Sequence, residues 1–236
     1  MNQLITKILR RVSMYSRSVL NILFPSMKAS VVDSFHKLYY DEGILGKTWS
    51  QNRFLGVLVQ KCPFELLAYQ DILYKNKPDL IIETGTAYGG SAYFMACICD
   101  ILGKGQIVTV DVADFGNLPK HKRIKYIRGS SVDPEVIMKL EELVKNAKKV
   151  MVILDSNHSY EHVIEELKLY NGFVTKGQYL IVEDTNVNGH PVRPEHGPGP
   201  MEALVEFLQD TTSFETDSEI EPYLSFNPKG YLKKVN

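Results

Sequence analysis

The sequence predicts an α/β protein of Rossmann-like type. It should be a doubly wound, mainly parallel sheet with helices on both faces, an antiparallel C-terminal hairpin and an N-terminal helical arm. Three observations carry this. From about residue 65, short and nearly continuous apolar runs (DLIIE, QIVTVDV, VMVILD, YLIVED) alternate with longer segments of helical period. Strands buried on both faces read that way, because crossover helices cover both sides of a parallel sheet. A glycine-rich turn follows the first run, and acidic residues end several of them. With 236 residues, 44% hydrophobic and 23% charged, the chain has the composition of an ordinary globular domain with a short appendage.

The elements follow in order. Residues 1–40 form the arm and 41–236 the domain. Residues 1–32 carry Lys7, Arg10, Arg11, Arg17 and Lys28, with no acid before Asp33, and Leu4, Ile5, Ile8, Leu9 and Val12 recur at helical spacing. Such a basic amphipathic helix suits either the surface of an anionic membrane or packing against this protein or a second copy of it. Residues 65–76 read as a helix broken by Pro78, 79–83 as a strand, and 91–103 as a buried helix stopped by Gly103. Strands follow at 106–112 and 124–129, a helix from Pro134, a strand at 150–155, a helix over 160–172, a strand at 179–184 and a helix over roughly 200–209. The tail PYLSFNPKGYLKKV holds two β-rich runs joined by Asn-Pro-Lys-Gly and reads as the terminal hairpin.

Composition excludes several classes. Lys plus Arg total 27 against 28 Asp plus Glu, a net charge of −1, which argues against nucleic acid as a partner. Cys62, Cys97 and Cys99 form no CxxC pair and no zinc-finger spacing, so neither a disulfide framework nor structural zinc is expected, in keeping with a cytoplasmic location. No run of 18 apolar residues exists, and the N-terminus lacks the continuous apolar stretch of a signal peptide. Any membrane contact would be peripheral, through the arm at the inner surface. The arm is equally an element for homo-oligomer assembly.

The turn after the first strand reads Glu83-Thr84-Gly85-Thr86-Ala87-Tyr88-Gly89-Gly90-Ser91. It is not GxGxxG. Gly85 and Gly90 have the spacing of a phosphate loop, but Ser91 stands where that loop needs its Lys. Asp111 ends the next strand, where a carboxylate can accept hydrogen bonds from both hydroxyls of a ribose. Turn and acid together point to an adenosine ligand without phosphates.

At these residues the sequence resembles the class I S-adenosylmethionine-dependent methyltransferases. More narrowly, ETGTAYGGSA, TVDV, RGSSVDP, VILDSNHSYEHV, YLIVEDTNVNGHP and GPGPMEAL resemble the cephalosporin hydroxylase and rhamnosyl O-methyltransferase family over roughly residues 40–236. The resemblance implies S-adenosyl-L-methionine as cofactor. Glu83, Gly85 and the Gly89-Gly90 turn would hold its methionine part, with Thr86, Tyr88 and Ser91 in the same turn. Asp111 would hold the ribose, Ser130, Ser131 and Asp133 the adenine, and Asp155 would border the cofactor.

Asp155 ends one strand, and Glu183 with Asp184 ends the next. On neighbouring strands, about 4.8 Å apart, these carboxylates can converge on one ion. Hard oxygen ligands suit Mg²⁺ or Mn²⁺, which would bind an acceptor hydroxyl and lower its pKa. Because side chains alternate along a strand, Glu183 and Asp184 can both ligate only if the strand ends there. His158, three residues past Asp155, is the candidate general base, in an arrangement similar to macrolide-sugar O-methyltransferases. His158-Ser159-Tyr160-Glu161-His162 also matches the HxxEH of a metalloprotease, which would need both His on one helix face. The long loop 186–200 is expected to wall the acceptor pocket, with His190, Arg193 or His196 on the substrate.

These readings converge on a divalent-cation-dependent O-methyltransferase acting on a sugar hydroxyl of a glycan, glycolipid or glycosylated metabolite. The alternatives are an oxygenase, as one family name suggests, and a non-catalytic cofactor-binding partner.

Overall fold

The computed structural model describes residues 2–220, 222 and 224–236. The arm is two helices, α1 (Asn2–Leu23) and α2 (Pro25–Ile44). The side chains of Leu9 and Arg17 lie outside the described set, as do Glu221 and Tyr223. A short ribbon, β1 (Arg53–Phe54) and β2 (Val57–Leu58), leads into α3 (Pro63–Asn76), β3 (Leu80–Thr84), α4 (Gly90–Leu102), β4 (Gln106–Asp111) and β5 (Ile124–Arg128). Then come α5 (Pro134–Val144), β6 (Val150–Leu154), α6 (Tyr160–Tyr170), β7 (Tyr179–Val182), α7 (Pro200–Asp210), β8 (Phe214–Thr216) and β9 (Tyr231–Lys234).

The main sheet has seven strands in the order β5-β4-β3-β6-β7-β9-β8. The first five are parallel; β9 joins β7 antiparallel and β8 joins β9 antiparallel. The terminal hairpin is therefore present, but its first strand is Phe214–Thr216 and not the run preceding Asn227. Pro222 cannot donate to a ladder. Ser225 to Gly230 instead fold back towards the sheet's carboxyl end, where Phe226 N–H donates to Glu65 and the Asn227 amide oxygen accepts from Asp184 N–H.

Strand alternation divides the core. Leu80, Ile82, Val108, Val110, Val152 and Leu154 face α5, α6 and α7, whose Leu140, Leu167 and Leu204 are fully buried among them. Ile81, Ile107, Met151, Ile153 and Ile181 face α3 and α4, packing on Tyr69, Ile72 and Met95. Truncating any of these buried aliphatics to Ala costs about 2–5 kcal/mol. A third cluster joins the end of α2 to the domain through Tyr40, Cys62, Val187, Val192 and Phe226. The strand order reverses between β3 and β6. At such a switch the loops part and leave a crevice outside the carboxyl ends.

Candidate active site

β3 is buried on both faces and runs into Gly85, whose φ is +85°. A Cβ there would lie 1.8 Å from the carbonyl oxygen of Asp155, so only glycine lets the turn after β3 touch the end of β6. Gly90 opens α4 against the β2 backbone, where a Cβ would meet Leu58 O at 2.2 Å. The turn is tied to β4 by its own backbone. Ala87 N–H donates to Asp111 Oδ2 and Ala113 N–H to Oδ1, each at 2.9 Å. Asp111 is thereby fixed at the rim, with lone pairs left over for a ribose.

Glu83 takes a different place from the one expected. It is fully buried beneath the turn, where it accepts hydrogen bonds from the Ser91 hydroxyl and, at 2.7 Å, from Thr109. Burial pushes its pKa up to about 7 against the pull of those two hydroxyls. It braces the glycine turn from below. Asp133 is spent as the N-cap of α5, accepting Glu135 N–H at 2.7 Å. Ser130 and Ser131 do line a cavity, together with Asp111, Phe115, Asn157 and His162. His162 Nε2 lies 3.0 Å from the Ser131 hydroxyl, a placement the sequence did not suggest. The Tyr88 ring packs against that of Phe115, with centroids 5.0 Å apart and planes tilted by 54°.

A second cavity adjoins the first at Gly85, Ala87 and Asp155. Leu154 pairs with Val182 in register, so Asp155 and Glu183 emerge side by side. Asp184 then turns with φ +52°, a left-handed conformation that Asp tolerates. The two acids diverge accordingly. Glu183 accepts from Tyr69 and, at 2.9 Å, from the Lys61 ammonium, which also donates to Asp155 Oδ2 at 2.8 Å. Asp184 points towards His158, whose Nε2 lies 3.4 Å from Asp184 Oδ2 and 3.4 Å from Asp155 Oδ1. The candidate ligand atoms of Asp155, His158 and Asp184 all lie within 4.8 Å of one another.

That set differs from the expected one. His158 stands in it, and Glu183 is held outside by Lys61 and Tyr69. Two carboxylates and an imidazole fit a divalent ion such as Mg²⁺ or Mn²⁺. They are the reverse of the two imidazoles and one carboxylate of an iron oxygenase. HxxEH forms no metal-binding helix face either, since His158 precedes α6 and His162 turns to the other cavity.

The electrostatics leave the site short of positive charge. Burial raises the pKa of Glu183 and Asp184, and that of Glu65 well above its usual range. Asp155 is lowered, because Lys61 and His158 outweigh its burial. The Lys61 ammonium is held far above its usual pKa, as Asp155, Glu183 and Glu65 overcome burial. His158 rises to about 9, since Asp184 and Asp155 overcome its desolvation. Four carboxyl groups, two of them buried and two half-buried, thus face Lys61 and His158, and further cationic charge is welcome there.

The loop after β7 is anchored to α7. His190 lies 2.8 Å from Glu202, which also accepts from Asn188 and Gly199. Arg193 donates to Glu195, and His196 lies 3.2 Å from Gly197 O. Of the three expected substrate contacts, Arg193 also hydrogen-bonds Tyr40 of the cavity wall, and His196 is one of the weaker influences lowering Asp184. The cavity wall is built by Tyr40, Trp49 and Phe226 instead, with ring centroids 5.4–6.3 Å apart.

A reversed parallel sheet, a glycine turn locked to a strand-end acid, and a carboxylate cluster beside it define the class of S-adenosylmethionine-dependent O-methyltransferases. Comparison narrows the class. Residues 46–235 match the family described as Rhamnosyl O-methyltransferase/CmcI. The rhamnosyl O-methyltransferase of Mycobacterium tuberculosis H37Rv is 34% identical over 218 residues, covering 89% of this chain and 87% of the relative. That of Mycobacterium leprae is 35% identical over 185 residues, covering 77% and 79%. A solved structure described as cmcI-D160 Mg-SAM superposes with a TM-score of 0.62 at 19% identity, covering 79% of this chain and 78% of that one, a likeness of fold. The chain belongs to the rhamnosyl O-methyltransferase/CmcI family.

Proposed function

We propose that the protein transfers a methyl group from S-adenosylmethionine to a sugar hydroxyl with the help of a divalent cation. The sugar would be part of a glycan, glycolipid or glycosylated metabolite. The observation that carries this reading is the meeting of two cavities at Gly85 and Asp155. One is lined by Asp111 and the Ser130-Ser131 hydroxyls, the other by carboxylates and aromatic rings. The names of the curated relatives point to rhamnose as the acceptor sugar.

Asp111 binds the ribose and Ser130 with Ser131 the adenine. Asp155 and Asp184, with His158 beside them, hold the cation. When bound, the cation supplies Lewis acidity to the acceptor oxygen, and S-adenosylmethionine supplies the methyl group. His158 takes the hydroxyl proton only as neutral imidazole; in the metal-free protein Asp184 and Asp155 overcome its burial and hold it at about 9, so this role requires a cation on those carboxylates to bring it down. Tyr40, Trp49 and Phe226 shelter the sugar and exclude water.

Titration of S-adenosylhomocysteine into metal-stripped protein, repeated with Mg²⁺ and with Mn²⁺, tests the reading. Binding that is lost in Asp111→Ala is expected. Transfer to a rhamnoside should fall at least about 100-fold in Asp155→Ala and Asp184→Ala, as loss of first ligands implies. Absence of S-adenosylhomocysteine binding under every condition overturns the proposal.

A further inference from the structure

The methyl-transfer reading leaves α1 unused. It is a single helix of 22 residues, about 33 Å long at 1.5 Å per residue. On the helical wheel Leu4, Ile5, Ile8, Val12, Tyr15 and Val19 fall within one arc of about 100°. All six remain open to solvent: Leu4 and Tyr15 are each 66% exposed, and the least exposed, Ile5, is 48% exposed. A stripe of this length is unusual on a soluble surface, where exposed apolar residues scatter singly. Arg11 and Lys7 follow one edge of the stripe and Arg10 lies on the opposite face, and none of the three makes an ion pair among the described residues. No Asp or Glu occurs before Asp33.

We infer that α1 lies in the plane of an anionic lipid surface, its apolar stripe among the acyl chains and its basic flank at the headgroups. Charge chooses this occupant over a second copy of the chain. Helices that pair with one another carry both signs beside the apolar seam, so that flanking residues attract across it. The flanks of α1 offer positive charge alone, which repels in a pair of copies and attracts at a surface of phosphodiester headgroups. No described helix is long and apolar enough to cross a membrane, so the contact is interfacial. The short segment Phe24-Pro25 hands the chain to α2, whose buried His36, Tyr40 and Gly43 fix it to the domain. Lys7, Arg10 and Arg11 then hold the enzyme at the lipid by a part of the chain that takes no share in catalysis.

The test is flotation of the full-length protein with vesicles of one part phosphatidylglycerol to two parts phosphatidylcholine, against vesicles of phosphatidylcholine alone. Flotation with the anionic vesicles only, weakened by raising salt to about 0.5 M, is expected. Ile8→Asp with Val12→Asp, and separately Arg10→Glu with Arg11→Glu, should each reduce binding about tenfold or more. Their S-adenosylhomocysteine affinity and thermal unfolding should stay as in the wild type, which shows that the domain is intact. Failure of the wild type to float overturns the inference, and so does equal flotation of wild type and variants. Light scattering that shows Ile8→Asp with Val12→Asp splitting an oligomer, with no vesicle binding by the wild type, assigns the stripe to a second copy instead.

Discussion

The two sides of the crevice handle their acids in opposite ways. On the cofactor side, Asp111, Glu83 and Asp133 are satisfied by neutral donors close at hand: the amides of Ala87, Ala113 and Glu135, and the hydroxyls of Ser91 and Thr109. Backbone amides and short hydroxyls are fixed by the fold, so that side is rigid before any ligand arrives. On the acceptor side, Asp155 stands between Glu183 and Asp184, and the three depend on Lys61 and His158 for charge. The first arrangement binds by shape and hydrogen bonding. The second stores a deficit that a cation can fill, the property that the proposed metal-assisted methyl transfer requires.

The largest effect that breaks this contrast should come from Lys61. Lys61→Met removes the ammonium between two buried carboxylates and should destabilise the metal-free protein by about 3–5 kcal/mol in denaturant unfolding. A loss below about 1 kcal/mol would mean that the acceptor side does not depend on this charge. Gly85→Ala attacks the seam between the sides. A methyl group 1.8 Å from Asp155 O, at positive φ, should cost about 2–3 kcal/mol and weaken S-adenosylhomocysteine binding as well as stability. Unchanged affinity with lowered stability would separate the seam from the cofactor site.

The smallest effect belongs to the cofactor side and shows in its pH dependence. Burial pushes the Glu83 carboxyl up to about 7 from its ordinary value of 4.5, so between those values the native state binds more protons than the unfolded one. Its contribution is full below about pH 4.5 and is lost as pH rises through 7. Glu83→Gln, which cannot ionise, should flatten the fall in stability across that window in thermal melts of the metal-free protein. An identical slope in wild type and variant would place the titration elsewhere.

Much of this was legible in the chain, because its cause is local. Strands β3, β4, β6 and β7 announce themselves as apolar runs, and Pro63, Pro134 and Pro200 mark helix starts. That Asp155 and Asp184 come together was readable because the ends of neighbouring parallel strands lie side by side, whereas His158 was read as a base and not as a member of their cluster. Lys61 was not, since its partners lie 94 and 122 residues away and nothing beside it in QKCPF hints at a buried ion pair. Glu183 illustrates the same limit. Its position at a strand end is a matter of sequence, but its direction was decided by Lys61 and Tyr69 reaching in from other elements. The hairpin was displaced for a related reason, since Glu65 and Asp184 recruit Phe226 and Asn227 to the site and draw that run out of the sheet.

The contact between Gly85 and the Asp155 carbonyl welds the cofactor turn to the acid cluster, so the floor of the crevice is one piece shared by donor and acceptor. Innovation has to come from elsewhere. Tyr40 and Trp49 arrive from near the beginning of the chain and Phe226 from near its end, and neither belongs to the parallel sheet. The middle of the polypeptide therefore builds the floor of the crevice, and segments near its two ends build the wall.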